Sequence, residues 1–380
     1  MSQGSEAAGR RRGSRRRVLA VIGTRPEAVK LSPVILSLKK ERRVETKVCV
    51  TSQHAALVQP VLDTFDIVPD MDLGVMTAAQ TLSGVAARVL EGLERVLSDD
   101  RPDVVIIEGD TTSVLASAIA AFNLRIPVAH VEAGLRTYDL AHPFPEEGNR
   151  RMVTSVASLH LAHTERARTN LVSEGVAEGS IVVTGNPGLD ALRLARGLLV
   201  GSAGGPAPDT DTVRTILVTA HRRESFGPDL ESICRAVARI ARDRRHELRV
   251  VLPVHPNPAV EGPVHAMLDG IPNVTLVPPL TYLELVEVLG RATLVLTDSG
   301  GLQEEAPALG KPVLVMREMT ERPEAIEAGA ALLVGRSEDS IVEQTLALLD
   351  DDERYRRMAV PRPIFGDGFA APRIVEAILR

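Results

Sequence analysis

VLAVIGTRPEAVKLSPVILSLKK, residues 18–40, is the stretch from which the fold of this chain is read. Val18–Ile22 is a short apolar run without alternation, as expected of a strand buried on both faces. Gly23-Thr24-Arg25-Pro26-Glu27 turns the chain, and Glu27–Lys40 follows with helical periodicity. Pro26 suits the first helical position and Glu27 the first turn.

The same unit recurs along the chain. Candidate strands are Thr46–Thr51, Val104–Ile107, Val128–Val131 and Ile181–Thr184, then Ile216–Thr219, Val250–Pro253, Val274–Val277, Leu294–Thr297 and Val313–Val315. Helical segments such as Leu82–Leu97, Leu230–Arg242 and Leu283–Leu289 lie between them. This alternation predicts parallel sheets made of right-handed βαβ units. Gly201–Asp209, rich in Gly, Pro and Ala, breaks the rhythm and reads as a linker. The expected class is therefore α/β, with two Rossmann-like doubly wound domains, 18–200 and 213–362, facing a cleft and joined through 201–212. Ligands of such sheets sit outside the carboxyl ends of the strands.

Bulk properties narrow the function. The 380 residues carry a net charge of −6, with 2% aromatic residues and two cysteines, Cys49 and Cys234, both in apolar contexts. They read as core residues in a protein of the reducing cytoplasm. Residues 1–17 hold six arginines against Glu6, a local charge of +5 that leaves −11 on the rest. That segment is expected to be a disordered leader. An export signal is not expected, because the apolar run behind it is too short. The acidic, aromatic-poor remainder argues against a nucleic-acid partner. No apolar stretch approaches the ~20 residues of a membrane span.

The candidate site residues cluster at strand ends. Arg25 follows the first strand, where free backbone N–H groups can hold phosphate. Asp110, in Glu108-Gly109-Asp110-Thr111-Thr112, can cap the next helix or place a carboxylate on the cleft floor. Glu132 and Arg136 lie in His130-Val131-Glu132-Ala133-Gly134-Leu135-Arg136, and Glu146 lies in Pro145-Glu146-Glu147-Gly148-Asn149-Arg150. Each acid alone reads as a solvated Glu. Three carboxylates at the strand ends of one half can supply both an acid and a base. His221 and Arg222 open the second half in Thr219-Ala220-His221-Arg222-Arg223. With no cysteine or second histidine nearby, a metal site is not expected. In Thr297-Asp298-Ser299-Gly300-Gly301-Leu302-Gln303-Glu304-Glu305, a strand ends, Ser299, Gly300 and Gly301 can cradle an anion, and Glu305 can accept from ribose hydroxyls. Arg317 and Arg322 follow the next strand.

Read together, GTRPEAVKLSP, EGDTTSVLASAIAAF, IPVAHVEAGLRT, PFPEEGNRR, ILVTAHRRESFG, LPVHPNP and LTDSGGLQEEAPALGKPVLVMREMTERPEA resemble the non-hydrolysing UDP-N-acetylglucosamine 2-epimerase family. The matching runs span about residues 18–375 in order. The resemblance implies a glycosyltransferase-B type fold, a C-terminal segment (363–380) returning to the first domain, a homodimer, and no metal or nicotinamide cofactor. It implies inversion of C2 of UDP-GlcNAc to give UDP-ManNAc, by elimination and re-addition of UDP. It makes Asp110, Glu132 and Glu146 the acid/base group. His221 and Arg25 become diphosphate ligands, with Lys30 nearby, and Ser299, Gly300, Gly301, Glu305 and Arg322 nucleotide ligands. The diphosphate cradle would then be shared across the cleft. Where activated members carry polar residues, this chain has Ala55-Ala56-Leu57 after Gln53-His54, and Ala79 before its Gln-Thr-Leu run. Altered activation by a second UDP-GlcNAc is the expectation. Rival readings are a hydrolysing epimerase, a glycosyltransferase of the same fold and a non-catalytic sensor.

Overall fold

The computed structural model describes residues 15–52, 55–77, 80–201, 213–220 and 226–380. Among them, thirteen strands form two wholly parallel sheets. The first comprises β1 (Arg16–Ile22), β2 (Val44–Val50), β3 (Met71–Asp72), β4 (Val104–Glu108), β5 (Val128–Ala133), β6 (Leu159–Ala162) and β7 (Ile181–Val183). Its spatial order is β3-β2-β1-β4-β5-β6-β7. The second comprises β8 (Arg214–Thr219), β9 (Leu248–Pro253), β10 (Val274–Val277), β11 (Leu294–Thr297), β12 (Val313–Val315) and β13 (Ala331–Leu333), in the order β10-β9-β8-β11-β12-β13. The strand order reverses between β1 and β4 and again between β8 and β11. Those two switch points are where a doubly wound sheet opens a crevice for ligand.

The structure adds three strands to those read from the sequence: β3, β6 and β13. They are two to four residues long, and β6 carries His160 among its apolar residues. No local pattern separates such pieces from loop. β1 also begins two residues before the expected domain start. Arg16 and Arg17 pair through the backbone with Val44 and Glu45, the Arg17 N–H donates to Asp103, and the Arg17 guanidinium pairs with Asp100. The other leader residues, up to Ser14, lie outside the described residues, as do 202–212 of the expected linker. Cys49 and Cys234 are buried and unpaired. No helix among the described residues is long and apolar enough to cross a membrane.

The helix Arg25–Lys40 places its inward stripe, Glu27, Lys30, Leu31, Val34, Ile35 and Leu38, at helical spacing against β1. The lower part of the stripe is aliphatic core. Its first turns put an acid and a lysine inside, which an apolar pattern alone would not demand. At the β1–β4 switch point the loops touch closely: a Cβ on Gly23 would lie 2.9 Å from the Ser113 Cβ.

The two halves share one apolar core. Ile22, Val34 and Leu62 belong to the same buried cluster as Leu217, Val295 and Val315. Phe65 and Tyr282 meet across the boundary with ring centroids 6.1 Å apart. The helix Ala370–Leu379 leaves the second half and packs Ile374 and Ile378 into this core. Its first backbone N–H groups, of Ala370 and Ala371, donate to the buried Asp190 carboxylate at 2.9 and 3.0 Å. Asp190 thus caps a helix 180 residues away in sequence. Replacing Asp190 by Ala should lower the unfolding free energy by ~2 kcal/mol, read as an earlier urea midpoint; an unchanged midpoint would show that this cap does not anchor the last helix.

Candidate active site

Loops from both switch points converge on the seam between the halves. After β1, Glu27 is buried and gathers the turn around itself. It accepts the Gly23 N–H at 2.6 Å, the Thr24 hydroxyl at 2.9 Å and the Thr111 hydroxyl at 2.8 Å. Burial raises its pKa, and these hydrogen bonds act against that rise. Glu27 thereby ties the β1 loop to the β4 loop and leaves Arg25 at the rim. Burial lowers the Arg25 pKa, while Glu305 and Tyr282 of the second half oppose the change. Arg25 is thus a cross-cleft group.

After β4, Asp110 is gripped from the helix Glu146–Val156. Arg150 donates to Asp110 Oδ2 through Nη2 and, at 3.0 Å, through Nε. Asn149 donates to the Asp110 carbonyl at 2.8 Å. Glu146 starts that helix and is half-buried. Its neighbour Glu147 is the structural acid, accepting the N–H groups of Thr137 and Tyr138 at 3.1 Å each.

Glu132, near the end of β5, has a φ of +67° where the β5–β6 register shifts. A non-glycine residue held there costs about 1–3 kcal/mol and concentrates at functional sites. The turn aims its buried carboxylate into the seam. There it meets Lys30, with Arg322 at 4.0 Å and the His163 ring at 3.8 Å. Lys30 also reaches Glu108 at 3.2 Å and, across the seam, Glu304 at 3.9 Å. Glu304 accepts from Arg322 Nε at 2.6 Å and from Asn186 of the first half at 2.7 Å.

The electrostatics follow from this crowding. Burial pushes Glu108 well above the usual carboxylate range; Lys30 opposes the rise, while Glu132 and Glu27 add to it. Burial would also raise Glu132, but Lys30, His163 and Arg322 leave its pKa lowered. Glu304 is brought down to about 2, because Arg322 and Lys30 outweigh its burial. Burial brings His163 down to about 4, so it is neutral near pH 7. Glu132, His163 and Glu304 bring ligand atoms within 4.8 Å of one another, a spacing that suits a metal ion. Lys30 and Arg322 bring cationic side chains to the same carboxylates.

On the second half, Ser299 precedes the helix Gly300–Ala308. Gly300 has a specific reason to lack a side chain. A Cβ there would lie 2.7 Å from the Arg322 guanidinium carbon, so Arg322 lies against the loop that could cradle an anion. Glu305 accepts the Tyr282 hydroxyl at 3.0 Å, and burial pushes its pKa up to about 7.

The structure thus brings Arg25, Lys30, Asp110, Glu132, Gly300, Glu305 and Arg322 to one seam, with Ser299 and Gly301 flanking Gly300. Arg136 is directed elsewhere: its buried guanidinium pairs with Glu174 at 2.7 Å through both Nε and Nη2, and bonds Thr154 and the Leu135 carbonyl. His221 and Arg222 lie outside the described residues, as do Gln53, His54 and Ala79. Sequence reasoning missed Glu108, Arg150, His163, Asn186, Glu304 and Glu321. Most stand inside runs already singled out, but nothing local marks them as buried.

Two parallel sheets with facing switch-point loops define a two-domain α/β protein of the glycosyltransferase-B type. The kitacinnamycin glycotransferase, 14% identical, shares this fold with a TM-score of 0.64, over 96% of this chain and 99% of its own. The chain belongs to the UDP-N-acetylglucosamine 2-epimerase family, whose model matches residues 36–379. The UDP-N-acetylglucosamine 2-epimerase of Escherichia coli K12 is 48% identical over 370 residues, covering 95% of this chain and 98% of that protein. The UDP-GlcNAc 2-epimerase from Neisseria meningitidis, solved bound to UDP-GlcNAc, is 40% identical with a TM-score of 0.91, over 96% of this chain and 99% of its own.

Proposed function

We propose that the protein inverts C2 of UDP-GlcNAc to give UDP-ManNAc without net hydrolysis, with Asp110 and Glu132 as its acid/base carboxylates. The observation that carries this reading is their placement: each is set against a buried cation, at the strand ends that flank one seam. One carboxylate takes the C2 proton. The C2–H electron pair becomes the C1–C2 double bond, and the C1–O bond breaks toward UDP. Re-addition reverses these steps with the proton delivered to the other face. The sequence is redox-neutral and needs no nicotinamide. A general acid or base is worth ~10²–10⁴-fold in such a step.

The remaining residues fit the needs of the leaving group. Arg25 faces the second half and Arg322 lies against the Ser299–Gly301 loop, so a diphosphate entering the seam would meet cations from both halves. Fixed donors to a developing anion commonly contribute more than any other single factor. His221 is assigned to the same diphosphate, and Glu305 to the ribose hydroxyls. Lys30, Glu132, Glu304 and Arg322 are all buried. A seam closed in this way keeps water from the glycal-like intermediate, which favours return of UDP over hydrolysis.

Incubation with UDP-GlcNAc in D₂O, followed by NMR, tests the reaction. Deuterium at C2 of intact UDP-sugar in both epimers is expected, and Asp110→Asn should reduce that exchange at least ~100-fold. Release of free sugar and UDP, or full exchange in the variant, would refute the assignment.

Glu305 supplies a pH test. Its folded pKa of about 7 lies above the ordinary carboxylate value, so the carboxylate forms as pH rises through 7. An ionised carboxylate accepts from two hydroxyls, whereas the protonated form has an O–H to place. UDP-GlcNAc should therefore bind several-fold more tightly at pH 8 than at pH 6 by calorimetry. Glu305→Gln should abolish that difference, and an identical pH dependence in the variant would exclude Glu305 as its source.

A further inference from the structure

Glu321 has no role in the reading above, yet it sits between the groups that do. It belongs to the second half, one residue before Arg322, and its carboxylate is buried. Oε1 is 2.9 Å from Arg322 Nη1 and 4.0 Å from Arg150 Nη2 of the first half. Oε2 accepts from Arg317 at 2.9 Å. Arg150 in turn holds Asp110, and Arg322 holds Glu304 and lies 4.0 Å from Glu132. The two acid/base carboxylates are therefore ends of one series of alternating charge, buried from Arg150 to Glu132: Asp110, Arg150, Glu321, Arg322, Glu132. Its central member is the only one contributed by the second half as an anion.

We propose that Glu321 is a positioning residue for the epimerisation. It draws the guanidiniums of Arg150 and Arg322 toward one point, and so fixes Asp110 and Glu132 relative to each other across the seam. The proposal rests on Asp110 and Glu132 being the acid/base pair. Without the Glu321 charge, three guanidiniums would face one another in a medium that screens them poorly, and repulsion would spread them. Arg150 and Arg322 would then carry their carboxylates out of register. An error of about 1 Å at a reacting group can cost ~100-fold in rate. The loop itself has other anchors: Thr320 donates to Gln303 at 2.6 Å, and the Arg322 N–H donates to Thr320 Oγ1 at 3.1 Å. Neutralising Glu321 should therefore disturb the charge series more than the fold.

The test uses the full chain as Glu321→Gln and Glu321→Asp, with three readouts: turnover of UDP-GlcNAc, the dissociation constant of UDP, and the melting temperature. For the Gln variant, kcat should fall ~100-fold, at least tenfold more than UDP affinity falls through the shift of Arg322, with the melting temperature held. The Asp variant keeps the charge one methylene short of its place and should retain about a tenth of wild-type kcat. Gln-variant turnover within about threefold of wild type would overturn the proposal. So would kcat, UDP affinity and melting temperature falling together, which is the mark of a merely structural residue. If the Gln variant does not fold, the Asp variant decides: kcat should drop about tenfold at unchanged UDP affinity, and unchanged kcat overturns the proposal. Wild type is assayed alongside. Absence of C2 exchange in wild type would refute the epimerase reading itself, whereas exchange in wild type with an unaffected variant refutes the role of Glu321 alone.

Discussion

Lys30 lies among Glu108, Glu132 and Glu304, and the architecture of the seam depends on that placement. A buried ammonium without partners would be untenable, and so would three buried carboxylates without cations. Lys30 comes from the first half and Glu304 from the second, so the buried charges of the two halves meet in one cluster. Arg322 completes the set from the other side. Desolvation offsets much of the attraction in such a cluster, but removing one member leaves the others stranded, at a cost of about 3–5 kcal/mol. The cluster is therefore better understood as a device for registering the halves than as a source of stability.

That registration serves chemistry. Arg322, which faces both Glu132 and Glu304, is also one of the two cations proposed to meet the diphosphate. Burial holds Glu108 above the usual carboxylate range, and Lys30 opposes that rise. His163 is neutral near pH 7 and packs against Glu132 without adding charge. A site whose charges are mutually balanced before substrate arrives can exchange partners when it arrives, at less expense than a site of isolated ions.

Much of the fold was legible because strands buried on both faces read as unbroken aliphatic runs, as at Val104–Ile107 and Leu294–Thr297. β3, β6 and β13 were not, being too short or interrupted by a histidine. Site loops were legible wherever a switch-point turn followed such a run, which is why Arg25, Asp110, Glu132 and Ser299–Gly301 could be named. What sequence could not show is which charges are buried together. Lys30 and Glu132 are 102 residues apart, and Asn186 and Glu304 are 118 apart. Arg136 reads like a site arginine in its loop, yet Glu174, 38 residues on, claims it. Glu304 and Glu305 are adjacent in sequence, but one is brought to about 2 and the other to about 7, because only Glu304 bonds Arg322.

Lys30 and Glu304 face each other across the seam, and their interaction is what would set the halves in register. A double-mutant cycle on unfolding free energy, with Lys30→Met, Glu304→Gln and the pair, measures that interaction directly. A coupling above ~1 kcal/mol is expected, with the double variant less destabilised than the sum of the singles. Single effects that add within ~0.5 kcal/mol would contradict it.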